Sequence, residues 1–355
     1  MPGAARDMRR SGRISARAPR RRIITPGDFH FREDSGMNRV VQPNARPGVL
    51  AGATIVGVPD RLAMRRRVLA AVRPYLYILP TFFFLFIFTH YPILKTFYLS
   101  LFKWNLATPK REFVGLANYL QAWSTPLFWQ VLQNNVVFAV GTIPISLALA
   151  LALALLINQR IRGLAIYRAA LFYPTLLPMA AAAMIWLWIL TPSYGLVNFY
   201  GKALGLPDIH WLGHSRLALP ALMLVGIWKR LGYYMVIFLA GLQVIPEHLY
   251  EAAILEGAGP WKRFWRVTFP LLSPTTFFVA IMAVIDSFQA IDQVYLMTQG
   301  GPGNNTNLFI FYIYQNAFRF FDMGYASAVS GILFLILLGL TVLAFRMLHR
   351  RVHYA

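Results

Sequence analysis

The chain has 355 residues, of which 57% are hydrophobic and only 13% are charged. A soluble domain normally carries about 25% charged residues, so this chain has too little polar surface to cover a globule and is expected to be an integral membrane protein. The net charge of +21 is unevenly distributed, because residues 1–73 hold 16 of the 34 lysines and arginines. We interpret this basic segment as facing anionic lipid rather than nucleic acid, since an apolar run follows it.

Residues 1–63 are interpreted as a disordered, arginine-rich cytoplasmic tail, and residues 64–355 as one transmembrane domain. The stretch "RRSGRISARAPRRR" (Arg9–Arg22) is typical of a disordered segment, because it combines many charges with few apolar residues. It does not resemble a secretory signal peptide, since no apolar core with a cleavage site follows it. Cysteine is absent, which excludes disulfides and thiolate metal sites.

After the tail, apolar runs recur, each near the roughly 20 residues that a spanning helix requires. They predict an all-α integral membrane protein with six transmembrane helices, at Tyr75–Leu101, Gln130–Ile157, Tyr167–Leu190, Leu217–Leu242, Pro274–Met297 and Met323–Met347. Six spans place both termini on one side of the membrane. Nine basic residues of the loops and flanks lie on that side and six on the other, and with the arginine-rich tail they assign it to the cytoplasm.

A charged loop with good helix-forming sequence interrupts these runs at "EAAILEGAGPWKRFWRVTFP" (Glu251–Pro270). Pro246 suits the start of a helix, because the first turn does not need its missing N–H, and Gly257 suits the end of that helix. Pro260 then predicts a second short helix, which ends at Pro270. On the residues alone, two interpretations stay open: a docking element for another protein, or an amphipathic linker at the membrane interface.

This loop resembles the EAA loop of ABC importer permeases, where Glu-Ala-Ala is followed after three residues by Gly and after nine more by Ile-x-Leu-Pro. Here Glu251, Ala252 and Ala253 precede Gly257 at that spacing, and Val267-Thr268-Phe269-Pro270 takes the last place. The stretches "FVGLANYLQAW", "VYLMTQGGPGNNTN" and "YQNAFRFFDMGYASA" also resemble sugar-uptake permeases of the MalF-like type, a group that includes glycerol-3-phosphate permeases.

The resemblance implies an ABC type I importer permease fold in the bacterial cytoplasmic (inner) membrane, with a cytoplasmic coupling loop at about residues 244–272. It implies that an ATPase subunit is contacted by Glu251, Ala252, Ala253, Gly257 and Pro270. The implied partners are a second permease subunit, two ATPase subunits and an extracytoplasmic solute-binding protein, besides membrane lipid and without nucleic acid. The sequence contains no G-x-x-x-x-G-K-[ST] motif, so ATP is expected to bind to the partner subunits. We predict no catalytic residue, metal or cofactor in this chain.

Ionisable residues within a membrane span are costly and are by default functional candidates. Spacing from the EAA loop, compared with similar maltose-type permeases, predicts a substrate path formed by Lys229, Arg230, Tyr233, Ala283, Asp286, Ser287 and Ala290. Tyr233 is suited to stacking on a sugar ring and Asp286 to accepting hydroxyl hydrogen bonds, whereas Lys229 with Arg230 is suited to phosphate. For the charged residues a second interpretation stays open, namely a structural ion pair that braces the bundle.

The expected function is the permease subunit of an ATP-driven importer for a sugar or sugar-like solute. Such a subunit forms half of the translocation path and receives the ATPase stroke through its EAA loop. One alternative is a glycerol-3-phosphate or glycerophosphodiester importer subunit. From other classes, a secondary transporter predicts inverted repeats, which are not evident, and a membrane enzyme requires a cluster of acids, histidines or metal ligands.

Overall fold

A computed structural model describes residues 74–108, 110–159 and 163–348 of the chain. The predicted tail of residues 1–63 and its boundary with the membrane domain lie outside these ranges, as do four of the nine basic residues that assign the cytoplasmic side. The regular structure of the described part is helical, as the composition predicts, apart from one two-stranded hairpin.

The helices, in chain order, are α1 (Pro74–Leu99), α2 (Ala117–Ser124), α3 (Pro126–Ile157), α4 (Leu164–Leu176), α5 (Met179–Ile189), α6 (Leu196–Ala203), α7 (Ala218–Val244), α8 (Glu247–Leu255), α9 (Pro260–Leu271), α10 (Ser273–Phe288), α11 (Phe309–Tyr314) and α12 (Met323–Leu348). Strands β1 (Phe102–Trp104) and β2 (Arg111–Phe113) pair antiparallel. Among the described residues, four helices are long and apolar enough to cross a membrane: α1, α3, α7 and α12. The number rises to six if the bent pairs α4–α5 and α9–α10 each count as one span.

The third predicted span, Tyr167–Leu190, is not one continuous helix. It is divided into α4 and α5, and the chain bends by 97° between them. Pro178 has no N–H to donate to the carbonyl of Pro174, and Leu177 before it is extended, with φ −66° and ψ 139°. The continuous helix expected from hydropathy is therefore corrected to a sharply bent pair.

The fifth predicted span, Pro274–Met297, also differs from the structure. Helix α10 ends at Phe288, and a separate helical turn follows at Val294–Thr298. Polar residues collect at this break, and the side chains of Gln289 and Gln293 both line the same cavity. Hydropathy averages over such a segment, so the predicted span continued about two and a half turns beyond the end of the helix.

Helices α3 and α7 form the centre of the bundle and make its most extensive helix contact. Helices α4 and α10 pack against this pair, and α12 packs against α1 and α2. The central contact is close, because Ala150 and Ala154 of α3 are fully buried in one cluster with Met235 and Phe238 of α7. Small residues allow membrane helices to approach and gain dispersion contacts, which matters where lipid removes the hydrophobic drive between helices.

At the end of α3 remote from α8, amide side chains hold the irregular loop of residues 299–308. Gln130 donates to the carbonyl oxygen of Gly303 at 3.1 Å, and Asn134 donates to that of Asn304 at 2.7 Å. These bonds satisfy backbone groups that have no regular secondary structure to pair with. The stretch "VYLMTQGGPGNNTN" is thus anchored to a central helix far away in sequence.

Candidate translocation site and coupling loop

A cavity of about 290 Å³ lies between α3, α7 and the end of α10. It lies about halfway along α3 and α7. Helix α3 contributes Thr142 and Ser146 to its lining, and α7 contributes Arg230 and Tyr234. The break after α10 adds the side chains of Gln289, Asp292 and Gln293. The cavity therefore presents hydroxyl, amide and charged groups inside a largely apolar bundle.

Asp286 lies at the centre of the charged groups of this cavity. Its Oδ1 is 2.8 Å from Nη2 of Arg230, and its Oδ2 accepts a hydrogen bond from the hydroxyl of Tyr234, also at 2.8 Å. The side chain of Asp286 is 18% exposed and that of Arg230 is 45% exposed, so the pair faces the cavity without being fully solvated. It joins α7 to α10 and neutralises both charges.

Lys229 is buried, and backbone carbonyls at the α4–α5 bend hold its ammonium group. Its Nζ donates to the carbonyl oxygens of Pro174 at 2.8 Å, Thr175 at 2.9 Å and Leu177 at 2.6 Å. An ammonium has three donors, so all of them are used. The end of a helix leaves such carbonyls without partners, and the bend at Pro178 prevents the next residues from supplying them. Lys229 thus caps the C-terminus of α4.

Of the two neighbouring tyrosines on α7, it is Tyr234 that lines the cavity. Arg230 and Tyr234 are four residues apart and project from the same helix face, and Gly226 precedes them at the same interval. Tyr233 instead packs, partly buried, against the core cluster that contains Phe238. The predicted aromatic residue is therefore displaced by one position from the one that faces the cavity.

The predicted residues on α10 and its end do come together at the cavity. Ala283, Asp286, Ser287 and Ala290 all line it, at intervals of three or four residues. The hydroxyl of Ser287 donates to the carbonyl of Val284 at 2.8 Å, which leaves its oxygen available as an acceptor. The small alanines keep open the space that the polar groups surround.

Besides Tyr234 and Asp292, four polar lining residues lie outside the sequence-predicted set, namely Thr142, Ser146, Gln289 and Gln293. Thr142 and Ser146 are four residues apart on α3 and therefore lie on the same helix face. If one of them were known to line the cavity, helical spacing would identify the other. No charge marks them, however, and their hydroxyls are common in membrane helices. Among the described residues, no group of three or more His, Asp or Glu side chains is arranged to hold a metal ion.

The charged loop forms the two short helices that its sequence predicts, α8 and α9. The N–H of Gly257 donates to the carbonyl of Ile254, and that of Ala258 to the carbonyl of Ala253, both at 2.9 Å. This is the bond pattern of a helix closed by a left-handed residue, and Gly257 has the required φ of +74°. Gly257 as the helix stop and Pro260 as the restart are both confirmed.

The five predicted coupling residues divide by exposure. Glu251, Ala252 and Gly257 are exposed, and Glu251 makes no ion pair with the described residues. Ala253 is buried, with 9% exposure, and Pro270 is half-buried inside α9, just before the 66° bend into α10. The three exposed residues therefore form a surface that a partner can contact. Ala253 and Pro270 pack inside the loop behind that surface.

Comparison with known proteins agrees with this architecture. The family described as "Binding-protein-dependent transport system inner membrane component" matches residues 143–354. The trehalose/maltose transport system permease protein MalF of Thermococcus litoralis is 34% identical over 268 residues, which cover 76% of this chain and 90% of that protein. The sn-glycerol-3-phosphate transport system permease protein UgpA of Rhizobium meliloti is 32% identical over 286 residues, which cover 80% of this chain and 97% of that protein.

The fold is shared with a chain in the crystal structure of a bacterial alginate ABC transporter in complex with an alginate pentasaccharide-bound periplasmic protein. The TM-score is 0.71 at 20% sequence identity, and the match covers 80% of this chain and 98% of that one. The multi-pass helical architecture, the match over residues 143–354 and the full-length relatives lead to one conclusion. The chain belongs to the family of binding-protein-dependent transport system inner membrane components, as a permease subunit of an ABC importer.

Proposed function

We propose that this permease forms half of the translocation path for a neutral, hydroxyl-rich solute, a sugar or a sugar-like molecule. The observation that carries the proposal is the charge balance of the cavity. Of the described residues that line it, the two cations Lys229 and Arg230 already have partners, three carbonyls for the first and Asp286 for the second. MalF of Thermococcus litoralis, named for trehalose and maltose, supports the same class of solute.

A phosphate group would have to compete for these cations. On Arg230 it would have to share the guanidinium with Asp286, which already contacts Nη2, and it would meet a second acid at Asp292 in the same cavity. Sugar hydroxyls both donate and accept, so they can bond to the hydroxyl of Thr142 and the amides of Gln289 and Gln293 without displacing an existing partner. The cavity favours an uncharged polar solute for this reason.

The energy for transport is proposed to enter through α8. In this proposal the exposed face of Glu251, Ala252 and Gly257 docks on one of two ATPase subunits, and ATP binding there biases a switch between inward- and outward-facing states. A second permease subunit completes the path, and an extracytoplasmic solute-binding protein delivers the solute. Both termini and α8 are placed in the cytoplasm, on the basis of the positive charge of their flanks.

A glycerol-3-phosphate importer is the second candidate function. Its support is the similarity to UgpA of Rhizobium meliloti, which spans 97% of that protein. In this function the guanidinium of Arg230 binds phosphate in the transporting state, either through the nitrogens that Asp286 does not contact or after release from Asp286. A glycerophosphodiester carries one fewer ionisable oxygen, so its phosphate competes less strongly with Asp286 for Arg230.

Uptake measurements separate the two candidates. Cells that carry the intact transporter should lose accumulation of a radiolabelled neutral sugar when the gene for this chain is deleted, and should keep their uptake of glycerol-3-phosphate. A set of trehalose, maltose and related oligosaccharides is the appropriate panel. Deletion that abolishes glycerol-3-phosphate uptake alone would contradict the proposal.

We expect Asp286→Asn to lower sugar uptake roughly tenfold and to make uptake sensitive to competing sugar phosphates. The substitution removes the charge that neutralises Arg230, and a loss of ~1–2 kcal/mol is appropriate for a pair that is partly exposed. The freed guanidinium then attracts anions. Uptake kinetics with and without glucose 6-phosphate as competitor measure both effects.

The double variant Arg230→Gln/Asp286→Asn distinguishes bracing from solute contact. If the pair only braces α7 against α10, two neutral side chains can replace it by a hydrogen bond, and the double variant should recover most of the uptake that either single variant loses. If either side chain binds the solute, the double variant should be as defective as the worse single one. Membrane levels of all three variants, determined by immunoblot, correct for folding.

We expect Gly257→Val to reduce recovery of the ATPase subunit with the purified permease by about tenfold. A β-branched residue at φ +74° costs about 1–2 kcal/mol, which disfavours the closed end of α8 that the partner is proposed to recognise. Gly259→Val is the matched control, since neither glycine has any atom within 4 Å of an added Cβ but only Gly257 has a positive φ. Equal recovery for both variants would remove the support for α8 as the docking element.

A further inference from the structure

A second cavity, of about 420 Å³, lies where the end of α3 meets α8 and α9. Leu155 of α3, Tyr250 of α8, and Trp261, Arg263 and Phe264 of α9 line it. It shares no residue with the translocation cavity. Nothing in the proposed transport path or in the α8 docking face uses it.

The walls of this cavity suit the boundary between lipid and water. Trp261 is 74% exposed and stacks on Phe264, with ring centroids 6.2 Å apart. Exposed indole rings are favourable at the headgroup level of a membrane. Helix α9 also bends by 66° away from the apolar helix α10, so α9 cannot follow the same direction through a bilayer and is placed as an interfacial helix.

Arg263 is the only charged side chain among the described residues that line this cavity. Its Nε is buried and makes no hydrogen bond. A guanidinium nitrogen withdrawn from water without a partner is costly, and the described residues of the cavity lining include no acid that could balance the charge of Arg263. The hydroxyls of Tyr250 and Thr268, 3.2 Å apart, add hydrogen-bonding groups to the same wall.

We propose that this cavity binds an anionic phospholipid, with the lipid phosphate on Arg263 and an acyl chain along Trp261, Phe264 and Leu155. Charge complementarity selects an anionic lipid over a zwitterionic one, since the lining holds a cation and no acid. The apolar walls select a lipid over free phosphate, which would leave them exposed to water. The bound lipid would hold α9 against α3, directly beside α8. Lipid binding at this site does not depend on which solute is transported.

Native mass spectrometry of the transporter purified with its partners tests the site. The complex is delipidated in mild detergent and titrated with phosphatidylglycerol or phosphatidylcholine. We expect the first phosphatidylglycerol to bind about tenfold more tightly than phosphatidylcholine, and Arg263→Gln to abolish that preference. The neighbouring Lys262→Gln is the matched control: Lys262 is exposed and does not line the cavity, so this variant should keep the preference.

Arg263→Lys guards against a folding defect, because it retains the charge and should retain part of the preference. Equal binding of the two lipids by the unaltered protein overturns the proposal, and so does equal loss in Arg263→Gln and Lys262→Gln. Displacement of the lipid by millimolar inorganic phosphate marks a free-anion site and also overturns it. If lipid binds only after the ATPase subunits are removed, a protein segment is the occupant and the proposal is wrong.

Discussion

Lys229→Met is expected to destabilise the helix bundle by about 3 kcal/mol or more and to deplete the protein from the membrane. The substitution leaves the carbonyls of Pro174, Thr175 and Leu177 without their donor, and each buried unsatisfied carbonyl costs roughly 1–3 kcal/mol. Methionine has nearly the same length as lysine, so the effect of lost packing is small. The melting temperature in detergent should fall by about 10 °C.

Lys202→Met provides the control for removing a lysine. Lys202 forms an ion pair with Asp208 at 2.8 Å, but both side chains are about half exposed, at 50% and 44%, so its loss should change stability little. The contrary outcome is informative as well. A Lys229→Met protein with unchanged melting temperature and lost sugar uptake would identify Lys229 as a solute ligand instead of a helix cap.

Gly232→Ala is expected to prevent α7 from packing on α4. A Cβ at position 232 would overlap the carbonyl oxygen of Leu171 and lie 2.8 Å from Cα of Phe172. These are backbone atoms, which cannot rotate away as a side chain can, so the two helices must separate along the contact. Overpacking of this kind costs about 3 kcal/mol, the upper end of the usual range.

Gly339→Ala in α12 is the matched substitution, because an added Cβ there has no atom within 4 Å. It should leave stability unchanged or raise it by about 0.5–1 kcal/mol, since alanine is the better helix former. Melting curves of the two purified variants and of the unaltered protein measure the difference. A Gly232→Ala protein as stable as Gly339→Ala would mean that the close contact between α4 and α7 is dispensable.

The coupling loop could be predicted almost residue by residue. Local signals decide its form, because Gly257 alone tolerates the positive φ that ends α8 and Pro260 starts α9 in a position that needs no N–H. The apolar runs were found for a similar reason, since length and hydropathy are properties of a single segment. The roles assigned to the coupling and substrate-path residues stay predictions.

Sequence patterns mark the prolines inside the spans but do not decide which of them bends its helix. Pro144 lies inside the continuous helix α3, whereas Pro178 marks a 97° turn, although both remove one N–H from an apolar segment. The two prolines differ in their surroundings. At the Pro178 bend, Lys229 of α7, which is distant in sequence, donates hydrogen bonds to the carbonyls that the bend exposes. Which tyrosine of α7 lines the cavity was equally out of reach, since adjacent residues differ by about 100° around a helix and only packing decides that Tyr234, and not Tyr233, faces it.

By itself the sequence determined the membrane class, the apolar segments, the form of the coupling loop and the resemblance to importer permeases, because composition and short-range spacing carry all of these. Only the tertiary structure decided that Asp286 neutralises Arg230, that Lys229 is occupied by carbonyls and that α4 and α5 form a bent pair. Each of those results joins residues from different helices. Their relation is set by how the helices pack and rotate against one another, which no single segment encodes.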